Sequence, residues 1–176
     1  MSSRLMRDEL QDLYKQVIGK MKGDCVLFAH SGAHEAYKSL LEVASEKMCI
    51  LQFHQEFPEE RKPEVFTGRW VESIVGDLSS LPIRESALDL ILYAFTSKKV
   101  TEINPILSEA RRVLKDRGAL LLVDWTPSSR LKPPDVDDLK RFTDAIRSAF
   151  GRLFKPVDLR IYRDYFIVLG LKENIN

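Results

Sequence analysis

The sequence lacks the features that mark several specialised classes of protein. Its longest apolar runs, such as residues 119–123, are far too short to span a bilayer, and the N-terminal segment has no continuous apolar stretch of the secretory type. The formal net charge is only +1, and no basic patch is interleaved with aromatic residues. Neither a membrane nor nucleic acid is therefore an expected partner.

Cysteine is also scarce, since the chain has only Cys25 and Cys49, each inside an apolar run. This placement predicts buried, reduced thiols and a cytoplasmic location.

Apolar segments that alternate with amphipathic ones account for most of the chain, residues 1–176, and predict a single α/β domain. Strands that are apolar throughout indicate a parallel sheet covered on both faces, and a terminal hairpin turning near Arg163-Asp164 would add an antiparallel strand. The predicted strands lie near residues 25–29, 48–53, 71–75, 89–95 and 119–125, and the predicted helices span residues 4–20, 35–46, 104–115 and 136–150. Gly118 is interpreted as the stop signal of the third helix.

Three consecutive segments carry a family resemblance: VESIVGDLSSLPI, ALDLILYAF and ILSEARRVLKDRGALLLVDW. In this order and spacing they resemble class I S-adenosylmethionine (AdoMet)-dependent methyltransferases. The resemblance implies a doubly wound, Rossmann-like methyltransferase fold of roughly seven strands, with the terminal hairpin at one edge. It also implies a cofactor site at the carboxyl ends of the strands.

The first loop departs from the pattern of that family, which has an acid at the end of the first strand, followed by Gly-x-Gly. The acid holds the ammonium group of the cofactor, and the glycines let the backbone approach it. This chain reads VLFAHSGAH, so Phe28 stands where the acid belongs and Gly32 is the only glycine. His30, Ser31 and Ala33 replace the rest, so weak or no AdoMet binding is expected.

The second strand also lacks the acid that would hold the ribose hydroxyls. Gln52, His54 or Gln55 falls near that position, and Glu56 is interpreted as a solvated loop residue.

The third strand does match the family. By resemblance, Asp77 would accept a hydrogen bond from the adenine amino group, and Leu78 would lie along the ring. The alternative is that Gly76-Asp77 only forms and caps a turn. Asp89 matches a family acid at the opposite end of its strand, where a structural role is expected.

No pair of side chains is predicted to be catalytic, and Lys98 and Lys99 are interpreted as solvated. The three histidines, His30, His34 and His54, converge on the predicted crevice. Chance placement, or hydrogen bonding that closes an empty pocket, is favoured over a metal site, so no metal is predicted.

The basic residues of the third predicted helix and the turn after it are interpreted as a solvated face. They are Arg111, Arg112, Lys115 and Arg117, with Glu102 and Glu109 nearby.

Three functional hypotheses follow. In the first, the chain is a non-catalytic protein with a degenerate site that acts through protein partners. Its outline is similar to the methyltransferase-like N-terminal domain of anamorsin, which implies a role in iron–sulfur assembly, although the cysteine motifs that follow that domain are absent.

The second hypothesis is an active AdoMet-dependent methyltransferase with an unusual first loop, whose helix amides near Ser31 to His34 hold the cofactor carboxylate. The third is a nucleotide or metabolite binder that uses the histidines. Under the first hypothesis, at least two of Phe28, His30, His34 and His54 fill the volume where the family holds the ribose and methionine of the cofactor.

Overall fold

The computed structural model describes residues 8, 11–17, 25–30, 42, 48–54, 71–95, 103–129 and 139–173. The predicted helix over residues 35–46 lies outside this part of the chain except for residue 42, which is helical. Residues 11–17 are helical, as predicted. The strands are β1 (Cys25–His30), β2 (Cys49–His54), β3 (Val71–Val75), β4 (Leu88–Ala94), β5 (Leu114–Trp125), β6 (Lys155–Ile161) and β7 (Tyr165–Leu171), and the helices with defined ends are α1 (Ile103–Val113) and α2 (Leu139–Leu153).

The strands form one seven-stranded sheet in the order β3-β2-β1-β4-β5-β7-β6. The pairs β3/β2, β2/β1, β1/β4 and β4/β5 are parallel, whereas β7 is antiparallel to both β5 and β6. This arrangement confirms the predicted fold: a doubly wound, Rossmann-like, mostly parallel sheet with an antiparallel C-terminal hairpin. The strand order reverses between β1 and β4, which places the ligand crevice of such a fold at their carboxyl ends.

Two apolar cores cover the sheet, one on each face, which explains why its central strands are apolar throughout. On one face, the helical residues 11–17 contribute Leu13, Tyr14 and Val17. On the other face, α1 and α2 pack over the strands. No helix in the described residues is long and apolar enough to cross a membrane. That the whole chain folds as one domain, and that it is cytoplasmic, stay predictions.

The helix before β5 ends earlier than predicted. It stops at Val113, and β5 begins at once with Leu114, which is fully buried and pairs with Leu88. Gly118 therefore does not end a helix but lies within β5, where the register shifts before Ala119. A Cβ at Gly118 would stand 2.8 Å from a backbone oxygen, that of Lys115, so the close approach explains the glycine. The last helix also differs, because α2 continues three residues beyond the predicted end at residue 150.

The two cysteines are neighbours on adjacent strands, Cys25 on β1 beside Cys49 on β2. Both are free, as the prediction of reduced thiols requires, but they are half-buried and not buried as predicted. Burial, and then the nearby Cys49 thiol, raise the pKa of Cys25 to about 11. The Asp89 carboxylate accepts hydrogen bonds from the Cys25 amide at 3.1 Å and from Lys115 Nζ at 2.9 Å, which confirms its structural role.

Candidate functional site

The carboxyl ends of β1, β2, β3 and β4 lie side by side at one edge of the sheet. His30 at the end of β1 pairs in register with Ala94 of β4, and His54 at the end of β2 pairs with Val75 of β3. The Gly76 amide donates a hydrogen bond to the His54 carbonyl at 3.1 Å. The strand register thus brings together the positions that the sequence assigned to one crevice.

At the end of β1, the side chain of Phe28 is fully buried, with 0% exposure. It belongs to the same apolar core as Ile50, Leu90 and Leu92. The position therefore offers a hydrocarbon ring where the family pattern has a carboxylate.

Gly32, the predicted cofactor-binding residue of the first loop, lies outside the described residues, as do Ser31, Ala33 and His34. Nothing is described of the His30 side chain. The predicted filling of the crevice by two of the four bulky side chains therefore stays a prediction.

At the end of β2, the side chains are Gln52 and His54, both half-buried and both engaged in contacts with other groups. Neither is a carboxylate. Gln55 and Glu56 lie outside the described residues.

At the end of β3, Asp77 organises a tight turn. Its Oδ1 accepts hydrogen bonds from both the amide and the hydroxyl of Ser79, each at 2.8 Å, and its carbonyl accepts one from the Ser80 amide at 2.9 Å. The two Ser79 donors lower the pKa of the Asp77 carboxyl below its usual value. Asp77 is exposed and ionised near neutral pH, with Oδ1 engaged in the turn.

Leu78 follows with its side chain in the core, only 3% exposed. The segment after it is held by two side chains of α1. Glu109 Oε1 accepts a hydrogen bond from the Leu81 amide at 2.7 Å. Arg112 Nη2 donates to the carbonyls of Leu81 at 3.2 Å and Ile83 at 2.8 Å. We call this arrangement of Glu109 and Arg112 the α1 clamp.

Within the α1 clamp, the two side chains also bind each other. Arg112 donates from Nε to Glu109 Oε2 at 2.8 Å and from Nη2 to Oε1 at 2.6 Å. The hydrogen bonds from Arg112, and then the amide of Leu81, lower the pKa of Glu109 despite its partial burial. The α1 clamp therefore fixes the loop that follows Asp77 and so positions the turn at the end of β3.

The interpretation of the basic run as a solvated face was wrong for Arg111 and Arg112, which are half-buried, and is confirmed for Lys115, which is exposed. Arg111 donates to the backbone carbonyls of Leu153 and Glu173, and Lys115 binds Asp89. Arg117 is exposed. The signal was available in the sequence: Glu109 stands three residues before Arg112, a spacing that pairs them on one face of a helix.

At the end of β4, Phe95 adopts a left-handed backbone conformation with φ of 57°, which is rare for a bulky residue. Its ring stacks on Trp125 with centroids 4.1 Å apart, and its amide donates to the Val123 carbonyl at 2.7 Å. The ring stack thus joins the ends of β4 and β5. Lys98 and Lys99, which follow Phe95, lie outside the described residues.

The chemistry of these groups can be compared with the parts of AdoMet. The adenine amino group is a donor, and the exposed carboxylate of Asp77 suits it. The ammonium group requires an acceptor or an anion, and buried Phe28 supplies neither. The ribose hydroxyls would meet Gln52 or His54, and neither is a carboxylate. The described residues therefore fit the adenine and do not fit the amino-acid part of the cofactor.

No group of three potential metal ligands occurs in the described residues. Because His34 and the side chain of His30 are outside them, the absence of a metal site stays a prediction.

Comparisons with known proteins agree with this geometry. A family model described as methyltransferase domain matches residues 32–122, just over half of the chain. The demethylmenaquinone methyltransferase of Thermotoga maritima is 35% identical to this chain over 85 residues. That match covers 48% of this chain and 33% of the relative, so the chain aligns with only about a third of that relative's length.

Solved structures resemble the whole fold. A SAM-dependent methyltransferase from Aquifex aeolicus superposes with a TM-score of 0.68 at 20% identity, covering 94% of this chain and 98% of that one. The [4+2]-cyclase SpnF superposes with a TM-score of 0.69 at 14% identity, covering 94% and 80% of the two chains.

Proposed function

Since this chain belongs to the methyltransferase-domain family, we propose that it is a member with a degenerate AdoMet site that acts through protein contacts and not by methyl transfer. The observation that carries the proposal is Phe28, fully buried at the end of β1 where the family pattern places the acid.

The energetic argument concerns the ammonium group of the cofactor. A hydrogen bond to a charged group contributes about 1.5 to 3 kcal/mol, so losing one acid lowers affinity by about 10- to 100-fold. The missing acid at the end of β2 adds a further loss for the ribose. Asp77 and its turn would still offer an acceptor to the adenine end of the cofactor.

The test is calorimetric titration of the purified chain with AdoMet and with S-adenosylhomocysteine. We expect weak or no binding at cofactor concentrations that saturate the Thermotoga maritima relative, which serves as the control. AdoMet carried through purification, or a saturable titration of ordinary affinity, would overturn the proposal.

The anamorsin-like outline suggests the iron–sulfur assembly machinery as the partner. Depleting the protein from its host should then lower the activity of iron–sulfur enzymes and leave AdoMet-dependent methyl transfer in the host unchanged. Normal iron–sulfur enzyme activity after depletion would exclude this partner.

The second candidate function is an active AdoMet-dependent methyltransferase with an unusual first loop. The ionised Asp77, positioned by the α1 clamp, favours this function. The 35% sequence identity over 85 residues to a demethylmenaquinone methyltransferase favours it as well. In that case the methyl acceptor would lie beside Phe95 and Trp125, at the ends of β4 and β5. Transfer of a labelled methyl group from AdoMet to a demethylated quinol would establish this function, and its absence across acceptors together with failed titrations would exclude it.

A further inference from the structure

The edge of the sheet formed by β6 combines exposed apolar side chains with charged ones. In the described residues, the large hydrophobic side chains that are exposed are Val157 and Ile161, at 55% and 41%, and both lie on β6. β6 pairs only with β7 in the described sheet, so its other side is an edge. Ile161 also borders a shallow depression together with Thr143, Ile146, Leu159 and Phe166. An exposed apolar edge strand is a template for pairing with another strand.

The backbone of β6 is oriented for such pairing. The Tyr162 amide donates to the Tyr165 carbonyl at 2.8 Å in the hairpin. Residues that hydrogen-bond to the partner strand alternate along an antiparallel pair. The backbone amides and carbonyls of Arg160 and Asp158 therefore point toward β7. Leu159 and Ile161 therefore direct their amides and carbonyls toward the edge. Pro156, which has no amide hydrogen, limits the usable edge on its N-terminal side.

The side chains of β6 are complementary to a second copy of the same strand. The β6/β7 register shifts between Pro156 and Asp158, so Val157 lies at a bulge and the regular strand begins at Asp158. In an antiparallel pair centred on Leu159, Val157 of each copy lies near Ile161 of the other. In the same register, Asp158 of each copy lies opposite Arg160 of the other. The same arrangement thus pairs opposite charges and brings the exposed apolar residues of the two copies close together. Asp158 and Arg160 already form an ion pair within one chain, at 2.7 Å, so both charges are held on the same face of the strand.

We propose that β6 is a self-association surface, which pairs antiparallel with β6 of a second copy around a twofold axis at Leu159. The two sheets then continue into each other, and each Val157 covers the apolar surface beside Ile161 of the other copy. An edge pair of this length buries little area, so the dimer is weak and depends on concentration. This proposal is independent of AdoMet binding and of catalysis.

The first experiment is sedimentation velocity of the 176-residue chain from low micromolar to submillimolar concentration. We expect a monomer–dimer equilibrium. Asp158→Arg sets like charges opposite each other twice in the dimer, and so does Arg160→Asp. Each variant should raise the dissociation constant at least about tenfold, a 1.4 kcal/mol change. Glu72→Arg, on exposed β3 at the opposite edge of the sheet, is the matched control and should dimerise like the unchanged chain.

The second experiment mixes the two variants. Asp158→Arg presents two arginines and Arg160→Asp presents two aspartates, so the mixture should form a heterodimer although each variant alone dimerises at least about tenfold more weakly than the unchanged chain. Circular dichroism confirms that both are folded. A chain that stays monomeric at every concentration would overturn the proposal, as would a dimer insensitive to both charge reversals or a mixture that does not associate.

Discussion

The crevice edge of the sheet has two unlike parts. At the end of β3, the Asp77 turn is closed by its own hydrogen bonds, and the α1 clamp holds the following segment. At the ends of β1 and β2, the positions that would contact the cofactor in the family carry the buried Phe28 and the half-buried Gln52 and His54. The first part matches the residue pattern of the family, and the second departs from it.

The difference shows what the family pattern in the sequence encodes. Glu109, Arg112 and Asp77 bind parts of their own chain, so the fold needs them whether or not a ligand is present. The acids at the ends of β1 and β2 would bind only a ligand, and they are absent. Motif residues that bind the chain itself therefore report the fold, and they do not report catalysis.

The largest effect is expected when the acid of the family pattern is restored at position 28. Phe28→Asp should lower the free energy of unfolding by about 4 kcal/mol or more, because a carboxylate replaces a ring in a fully buried core position. Denaturant unfolding measures this effect. The control, Phe28→Leu, should lose only about 1 kcal/mol. A stable Phe28→Asp variant that gains AdoMet binding would mean that this position faces the crevice.

Removing the α1 clamp tests how much it stabilises the segment that follows the Asp77 turn at the end of β3. Arg112→Ala should lower the free energy of unfolding by about 1 to 2 kcal/mol, because the Leu81 and Ile83 carbonyls lose their donor. Arg112→Lys should recover only part of the loss, because an ammonium group cannot bridge several acceptors as a guanidinium does. Arg147→Ala, at an exposed position on α2, is the control and should stay within about 0.5 kcal/mol of the unchanged chain.

The pH dependence of the free energy of unfolding measures what the ionised Glu109 carboxylate contributes. Its pKa is lowered in the folded state, so its contribution is present above the unfolded pKa of about 4.3 and is lost as pH falls through the lower folded pKa. Glu109→Gln should therefore be less stable than the unchanged chain at neutral pH by about 1 kcal/mol. The gap should close in acid. Urea midpoints measured across this range provide the test, and a gap independent of pH would contradict it.

The smallest effect is expected at Asp77. Asparagine can form the same side-chain turn, so Asp77→Asn should change the free energy of unfolding by no more than about 0.5 kcal/mol. It removes the charge suited to an adenine amino group, so any residual affinity for AdoMet should fall. Thermal unfolding and titration separate the two roles. A loss of stability as large as that of Arg112→Ala would show that the carboxylate charge itself holds the turn.

Much of the fold could be predicted from the sequence, because continuous apolar strands and helical periodicity reflect burial directly. The parallel strands and the hairpin near Arg163-Asp164 are confirmed. The start of β5 could not be predicted, since Leu114 continues the apolar face of α1 and only its pairing with Leu88 identifies it as a strand residue. Gly118 likewise resembled a helix stop until the neighbouring backbone was known.

Less of the site could be predicted. The structural role of Asp89 followed from its place at the start of a strand. The α1 clamp was missed, because the carbonyls that Arg112 binds belong to a segment far away in sequence. Whether Gly32, Asp77 and Leu78 bind a cofactor stays a prediction, since no sequence pattern measures affinity.

The strand order also constrains how the chain folds. β6 precedes β7 along the chain, yet in the described sheet β6 reaches β5 only through β7. Until residues 165–171 are in place, the apolar edge of β5 has no partner on that side and β6 has nothing to join. Pairing between distant segments is slow, and an unpaired apolar edge invites aggregation. A chain in which β7 is not yet in place therefore exposes the edge of β5 and leaves β6 unpaired at the same time.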